Sequence, residues 1–194
     1  MARRLSKKKI KLIISIVSLI VVFVLQATRH ADPSSVLGTV AQNQPGLYHV
    51  TKFVDGDTID VDMNGKSETI RFIGVDTPET HKPNTPVQCF GEKAAAFTKM
   101  LIGTNNVRLE SDPQGTNRDR YDRLLRYIYL PDGTLVNAEI VKQGYGFAVV
   151  GFPFTKMEEF KTYENQARES NRGLWGGCEI TTESNHLRTN DAGK

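Results

Sequence analysis

A chain of 194 residues has room for one ordinary domain plus extensions. Its net charge of +3 misleads: the first 28 residues hold six of the 25 Lys and Arg and no acid, so the remainder sets 19 basic against 22 acidic residues, about −3. That balance excludes attraction of a polyanion by the net field of the domain. Nucleic-acid binding would need a local cationic patch or a bound metal ion.

The cationic start, Arg3, Arg4, Lys7, Lys8, Lys9 and Lys11, runs directly into Leu12 to Leu25, apolar apart from Ser15 and Ser18. Residues 1–28 therefore read as a secretory signal or a transmembrane anchor. The apolar run is shorter than the roughly 20 residues of a comfortable span, yet no good small-x-small cleavage site follows it. The reading leans to an uncleaved anchor, basic end in the cytoplasm and the domain extracytoplasmic; cleavage would make the protein secreted. Residues 29–46 are a polar linker, residues 47–178 the domain, and residues 179–194 a tail with too little apolar content to pack, expected to be disordered. In an exported chain two cysteines, Cys89 and Cys178, are the number that makes one disulfide; two unrelated buried thiols are the other reading.

Along the domain, Tyr48 to Val54 is a strand candidate broken by Asp55-Gly56-Asp57. Ile59, Val61 and Met63 alternate with Asp60 and Asp62, the period of a strand with one wet face. Asn64-Gly65 is the favoured two-residue hairpin turn. The third strand runs through Ile70 to Val75, and this meander brings Asp57 within reach of Asp76. A proline-containing loop leads to Cys89. From Gly91, Ala94, Phe97 and Leu101 recur at helical spacing until Gly103. Strands are expected at Val107 to Glu110 and Leu124 to Leu130, and a helix from Leu135 to Gln143. A last helix is announced by the capping pair Thr155 and Glu158, with Phe160, Tyr163 and Ala167 on one stripe. Five short strands with a helix between the third and fourth match the order of an OB barrel, here α+β with three helices.

Three charged clusters stand out. Asp55-Gly56-Asp57-Thr58 is an ordinary turn if taken alone. Arg71 to Thr80, R-F-I-G-V-D-T-P-E-T, begins as a strand and ends, at Gly74 and Pro78, on a turn that carries Asp76, Thr77 and Glu79. Arg118 to Arg123, R-D-R-Y-D-R, leads into the fifth strand. Separately each fits a solvated surface; together they make a phosphodiesterase set. Asp57 and Asp76 are hard oxygen ligands favouring Ca²⁺ or Mg²⁺ over zinc, Glu79 is a base for water, and Arg71 and Arg123 can grip a phosphate. Attack on a phosphodiester builds negative charge on the equatorial oxygens, which cations must meet.

These strings, D-G-D-T, R-F-I-G-V-D-T-P-E-T, D-R-Y-D-R-L-L-R-Y, A-E-I-V-K-Q-G-Y and N-R-G-L-W, resemble in order the thermonuclease family, the staphylococcal nuclease homologues, over about residues 48–176. The resemblance implies an OB barrel with three helices and Ca²⁺-dependent hydrolysis of DNA and RNA, single strands favoured, leaving 3′-phosphates. By matched position, Asp57, Asp76 and the Thr77 carbonyl would bind metal, Glu79 would be the general base, and Arg71 and Arg123 would clamp the phosphate. Arg120 and Tyr121 are assigned to substrate, and a monomer is expected. Two departures stand out: Tyr121-Asp122-Arg123 replaces Y-G-R, and F-A-V-V-G-F-P-F replaces base-stacking tyrosines, leaving Phe152 or Phe154 to stack or to pack. The alternatives to an enzyme are an OB-fold nucleic-acid binding module with vestigial activity and a structural envelope protein.

Overall fold

The computed structural model describes residues 46–80, 86–183 and 186–193. The expected anchor and nearly all of the linker lie outside them. Among the described residues no helix is long and apolar enough to cross a membrane.

The domain is built on β1 (His49–Asp55), β2 (Thr58–Met63) and β3 (Lys66–Phe72), an antiparallel meander. Ile59 and Val61 are fully buried while Asp62 faces solvent, as the period-two pattern requires. Asp60 instead accepts a cross-strand hydrogen bond from Thr69 (2.7 Å). The Asn64-Gly65 turn joins paired Met63 and Lys66 with φ of 58° and 82°, the left-handed pair that a two-residue hairpin needs. Register then does the functional work. Thr58 opposes Arg71, and the Phe72 amide donates to the Asp57 carbonyl (2.9 Å), so the β1–β2 turn lies beside the end of β3.

The sheet continues through β6 (Leu124–Tyr129), parallel to β3, to β5 (Arg108–Glu110), giving the order β1-β2-β3-β6-β5. The expected barrel is not closed. Its two edges meet at one bridge, Tyr48 to Val107 (2.8 and 2.9 Å), because β5 is only three residues long and offers no ladder beyond it. Two further strands, β4 (Val75–Asp76) and β7 (Phe147–Ala148), pair with each other. Helices α1 (Gly91–Ile102), α2 (Val136–Lys142) and α3 (Met157–Glu169) are the three expected, and a single turn α4 (Leu174–Gly177) follows. Ile70, Phe72, Ile128, Val136, Ile140 and Phe160 form the centre of one continuous core.

The capping pair does not form. Helix α3 is preceded by Lys156 without a side-chain cap, because the Thr155 amide instead donates to the buried Asp112 carboxylate (2.7 Å), which also accepts the Tyr127 hydroxyl (2.6 Å). Burial raises the pKa of Asp112, but these bonds and the Gln114 amide outweigh it and hold the carboxyl below its ordinary value.

The segment expected to be a disordered tail carries β8 (Ile180–Glu183) and β9 (His186–Thr189), an antiparallel pair. Its support is backbone pairing with residues 87–89 and a disulfide between Cys89 and Cys178 (S–S 2.05 Å), neither of which needs apolar content. Closing a loop with a sequence separation of 89 is worth roughly 4–5 kcal/mol on the chain-entropy account.

Candidate active site

Asp57, Arg71, Asp76, Thr77 and Glu79 converge where the β1–β2 turn meets the chain leaving β3. Arg71 Nη1 lies 2.7 Å from Asp57 Oδ2 and Nη2 lies 2.8 Å from Asp76 Oδ1, so one planar fork spans both carboxylates. Nη1 also donates to the Val75 carbonyl (2.8 Å). Asp57 Oδ2 accepts the Thr77 amide (2.9 Å) and Oδ1 the Thr58 hydroxyl (2.9 Å), which fixes the carboxylate from three directions.

The backbone around these groups is tightly specified. Gly74, at φ 76°, turns the chain from β3 into β4, and a Cβ there would sit 2.8 Å from the Phe154 ring. Pairing of Asp76 with Phe147 then holds the position of Asp76. Gly56 admits the Thr77 side chain, whose Oγ1 would lie 2.8 Å from any Cβ at that position. Glu79 is held through its main chain: its amide donates to Gln88 Oε1 (2.8 Å), and its carbonyl accepts the Gln88 amide (2.9 Å).

Electrostatically the cluster is an acidic pocket with Arg71 at its centre. Burial works against the Arg71 charge, but Asp57, Asp76, Glu79 and Asp55 outweigh it and hold the guanidinium above its ordinary value. Burial, then the neighbouring Asp57 charge, pushes Asp55 upward against hydrogen bonds from Gly56 and Thr80. Asp76 is also raised, first by burial and then by Asp57, with Arg71, His186 and Arg188 opposing. Four carboxylates act on the Arg71 guanidinium, with Arg188 as a further cation near Asp76, and the excess is negative.

The chemistry of this donor set fits a hard divalent cation. All the offered atoms are oxygens, and the Thr77 hydroxyl is buried without a hydrogen-bond partner among the described residues. Among the described residues no group of three or more His, Cys, Asp or Glu side chains is arranged to hold a metal ion.

Arg123 lies just ahead of β6, and its side-chain partners among the described residues are Asp119 and Tyr121, not members of the Arg71 cluster. Leu125 pairs with Arg71, and Arg123 precedes it by two residues, about 7 Å along the strand. Its Nε and Nη2 bond Asp119 Oδ2 at 2.7 and 2.6 Å. Tyr121 is 63% exposed, with the Arg120 and Arg123 guanidinium carbons 4.8 and 5.3 Å from its ring centre. Arg120 also donates to the Tyr121 hydroxyl (2.7 Å). Asp122 takes the left-handed backbone at φ 65°, the conformation a glycine would hold without strain. Of the two phenylalanines, Phe154 packs on Phe160 in the core and Phe152 is 70% exposed.

Residues 69–177 match the family model described as staphylococcal nuclease homologue. The chain belongs to that family. It is 38% identical to the thermonuclease of Staphylococcus hyicus over 164 residues, 84% of this chain and 95% of the relative. It is 42% identical to endonuclease YncB of Bacillus subtilis strain 168 over 139 residues, 70% of this chain and 65% of that protein. The SPbeta prophage-derived endonuclease YokF of the same organism is 43% identical over 124 residues, 63% of this chain and 41% of that longer protein. A staphylococcal nuclease homologue is α+β with an OB-type sheet, in keeping with the strand order found here.

The sequence reading missed two residues of this neighbourhood. Asp55, fourth in the acidic set, accepts the Thr80 hydroxyl (3.0 Å), and Gln88 holds Glu79. Asp55 was legible in principle, since it opens the D-G-D string; a lone glutamine after a proline-containing loop carries no such signal.

Proposed function

We propose that the cluster around Arg71 is a Ca²⁺-dependent phosphodiesterase centre acting on DNA and RNA, with Glu79 as general base. Family membership makes the chain a nuclease, a hydrolase of phosphodiester bonds. The observation that carries the reading is the Arg71 fork between Asp57 and Asp76, with Glu79 and Asp55 close enough to act on the same guanidinium.

Asp57 and Asp76, with an oxygen of Thr77, would hold Ca²⁺, which when bound supplies positive charge opposite the phosphate oxygens. Glu79 takes a proton from the attacking water, and the bonds to Gln88 fix the main chain from which its carboxylate extends. Arg71 and Arg123 present guanidinium donors to the equatorial oxygens as charge builds there. Tyr121, 63% exposed and with the Arg120 and Arg123 guanidinium groups over its ring, is the aromatic side chain assigned to an unpaired base, which favours single strands. Export, as a secreted or membrane-anchored monomer, follows from the N-terminal 1–28 segment and agrees with a disulfide.

A second reading, a nucleic-acid binding module without turnover, has one supporting observation: Asp119 already occupies two nitrogens of Arg123. Product analysis decides between them. A 5′-labelled single-stranded DNA incubated with the protein and Ca²⁺ should yield fragments with 3′-phosphates, recognised by their shift on treatment with a 3′-phosphatase. Fragments ending in 3′-hydroxyls would overturn the assigned direction of attack, and binding without fragments would favour the module.

A further inference from the structure

The family match ends at residue 177, and the β8–β9 hairpin lies beyond it. This hairpin is not a free appendage. The Cys89 amide donates to the Asn190 carbonyl (2.7 Å), the Ala192 amide to the Val87 carbonyl (2.8 Å), and the Thr189 hydroxyl to the Cys89 carbonyl (2.8 Å). Gln88 and Asp191 sit opposite each other in an antiparallel bridge. The disulfide from Cys89 to Cys178 ties the base of the hairpin to the same three-residue segment. At that base, Asn190 and Glu179 exchange two hydrogen bonds, each 3.0 Å.

The segment so held, residues 87–89, is the one that holds Glu79. Gln88 is buried, its side chain accepts the Glu79 amide and its own amide donates to the Glu79 carbonyl. On the other side, the Gly91 amide bonds the Gln88 carbonyl (3.0 Å), and a Cβ at Gly91 would meet the carbonyls of Pro78 and Glu79 at 3.0 Å. Glu79 thus lies outside the strands with Gln88 bonded to both its main-chain amide and its carbonyl, and Gln88 is clamped between α1 and the hairpin. A carboxylate on such a stretch needs that second layer, since an error of about 1 Å in a general base can cost about 100-fold in rate.

We propose that the C-terminal hairpin is a positioning arm for Glu79, acting through Gln88 and locked by the Cys89–Cys178 disulfide. Gln88 is a positioning residue, and reduction of the disulfide lowers kcat by loosening the segment it pairs with. This rests on the assignment of Glu79 as the base. The arm makes activity depend on oxidation of the chain: the nuclease is fully competent only once its disulfide has formed.

The test compares full-length chains on a single-stranded DNA oligonucleotide with Ca²⁺. Gln88→Met keeps the side-chain size and removes the acceptor; it should lower kcat about 10- to 100-fold with KM within about twofold. Gln88→Glu retains an acceptor oxygen and should restore most of the rate. Dithiothreitol should lower kcat of the parent chain but leave a Cys89→Ser/Cys178→Ser variant, already slow, unchanged. In a Glu79→Gln background neither Gln88→Met nor reduction should add a further loss, because both act through the same group. If Glu79→Gln is slowed as expected while Gln88→Met and reduction leave kcat unaltered, or lower it by the same factor in both backgrounds, the arm is structural only and the proposal falls while the base assignment stands. If Glu79→Gln keeps full activity, the base assignment falls first. Should the serine pair fail to fold, Gln88→Met in the intact chain decides alone.

Discussion

Glu79→Gln should lower kcat by about 10²- to 10⁴-fold while leaving oligonucleotide affinity within about threefold. Glutamine keeps the shape of the side chain but cannot take a proton from water. The main-chain bonds to Gln88 that fix the residue do not involve its carboxylate. The change therefore removes the proton acceptor and leaves the frame. Single-turnover cleavage alongside fluorescence anisotropy in Ca²⁺ separates the two quantities. A loss below tenfold would mean that another group takes the proton, and a parallel collapse in affinity would mean that Glu79 supports binding rather than chemistry.

Arg71→Met should damage both stability and rate. The guanidinium is 15% exposed and spans Asp57, 8% exposed, and Asp76, 41% exposed. Removing one partner of a fully buried pair costs about 3–5 kcal/mol; solvent screening at Asp76 brings the expectation to about 2–4 kcal/mol. The carboxylates left behind form a more acidic pocket, so Ca²⁺ should recover more stability in the variant than in the parent. Activity should fall by at least about 10²-fold with or without that recovery, because the donor proposed to meet the phosphate is gone. Arg71→Lys should regain part of the stability but not the rate, since a single ammonium cannot span both carboxylates as a fork does. Urea titrations with and without Ca²⁺, and rates measured well below each midpoint, test this. An Arg71→Met chain as stable and as active as the parent would remove Arg71 from the centre of the account.

Why some of this was legible in the sequence and some not follows from where each interaction gets its partner. The β1–β3 meander is local: Ile59 and Val61 alternate with acids, Asn64-Gly65 sets the turn, and the register that brings Asp57 to Arg71 follows. Helix α1 was legible for the same reason, a period of 3.6 ended by Gly103. The two-residue strands β4 and β7 have no period to detect and exist because each finds the other across more than seventy residues of chain. The β8–β9 hairpin escaped because hydropathy measures burial, whereas this element is held by backbone pairing and a disulfide. Thr155 shows the converse: a correct local capping signal is overridden by a buried Asp112 that takes the same amide. At the site, residue types brought Asp57, Arg71, Asp76 and Glu79 forward as candidates, but they could not show that Asp119 would hold Arg123 or that Gln88 would hold Glu79.

The most direct test of the centre built on Asp57, Arg71, Asp76 and Glu79 is a titration of Ca²⁺ into chelated protein with single-stranded DNA, following cleavage. The account predicts no cleavage in excess chelator, a saturable rise in rate with Ca²⁺, and loss of activity on renewed chelation. Equal cleavage in chelator and in Ca²⁺, or tight binding with no cleavage under any divalent metal, would contradict it.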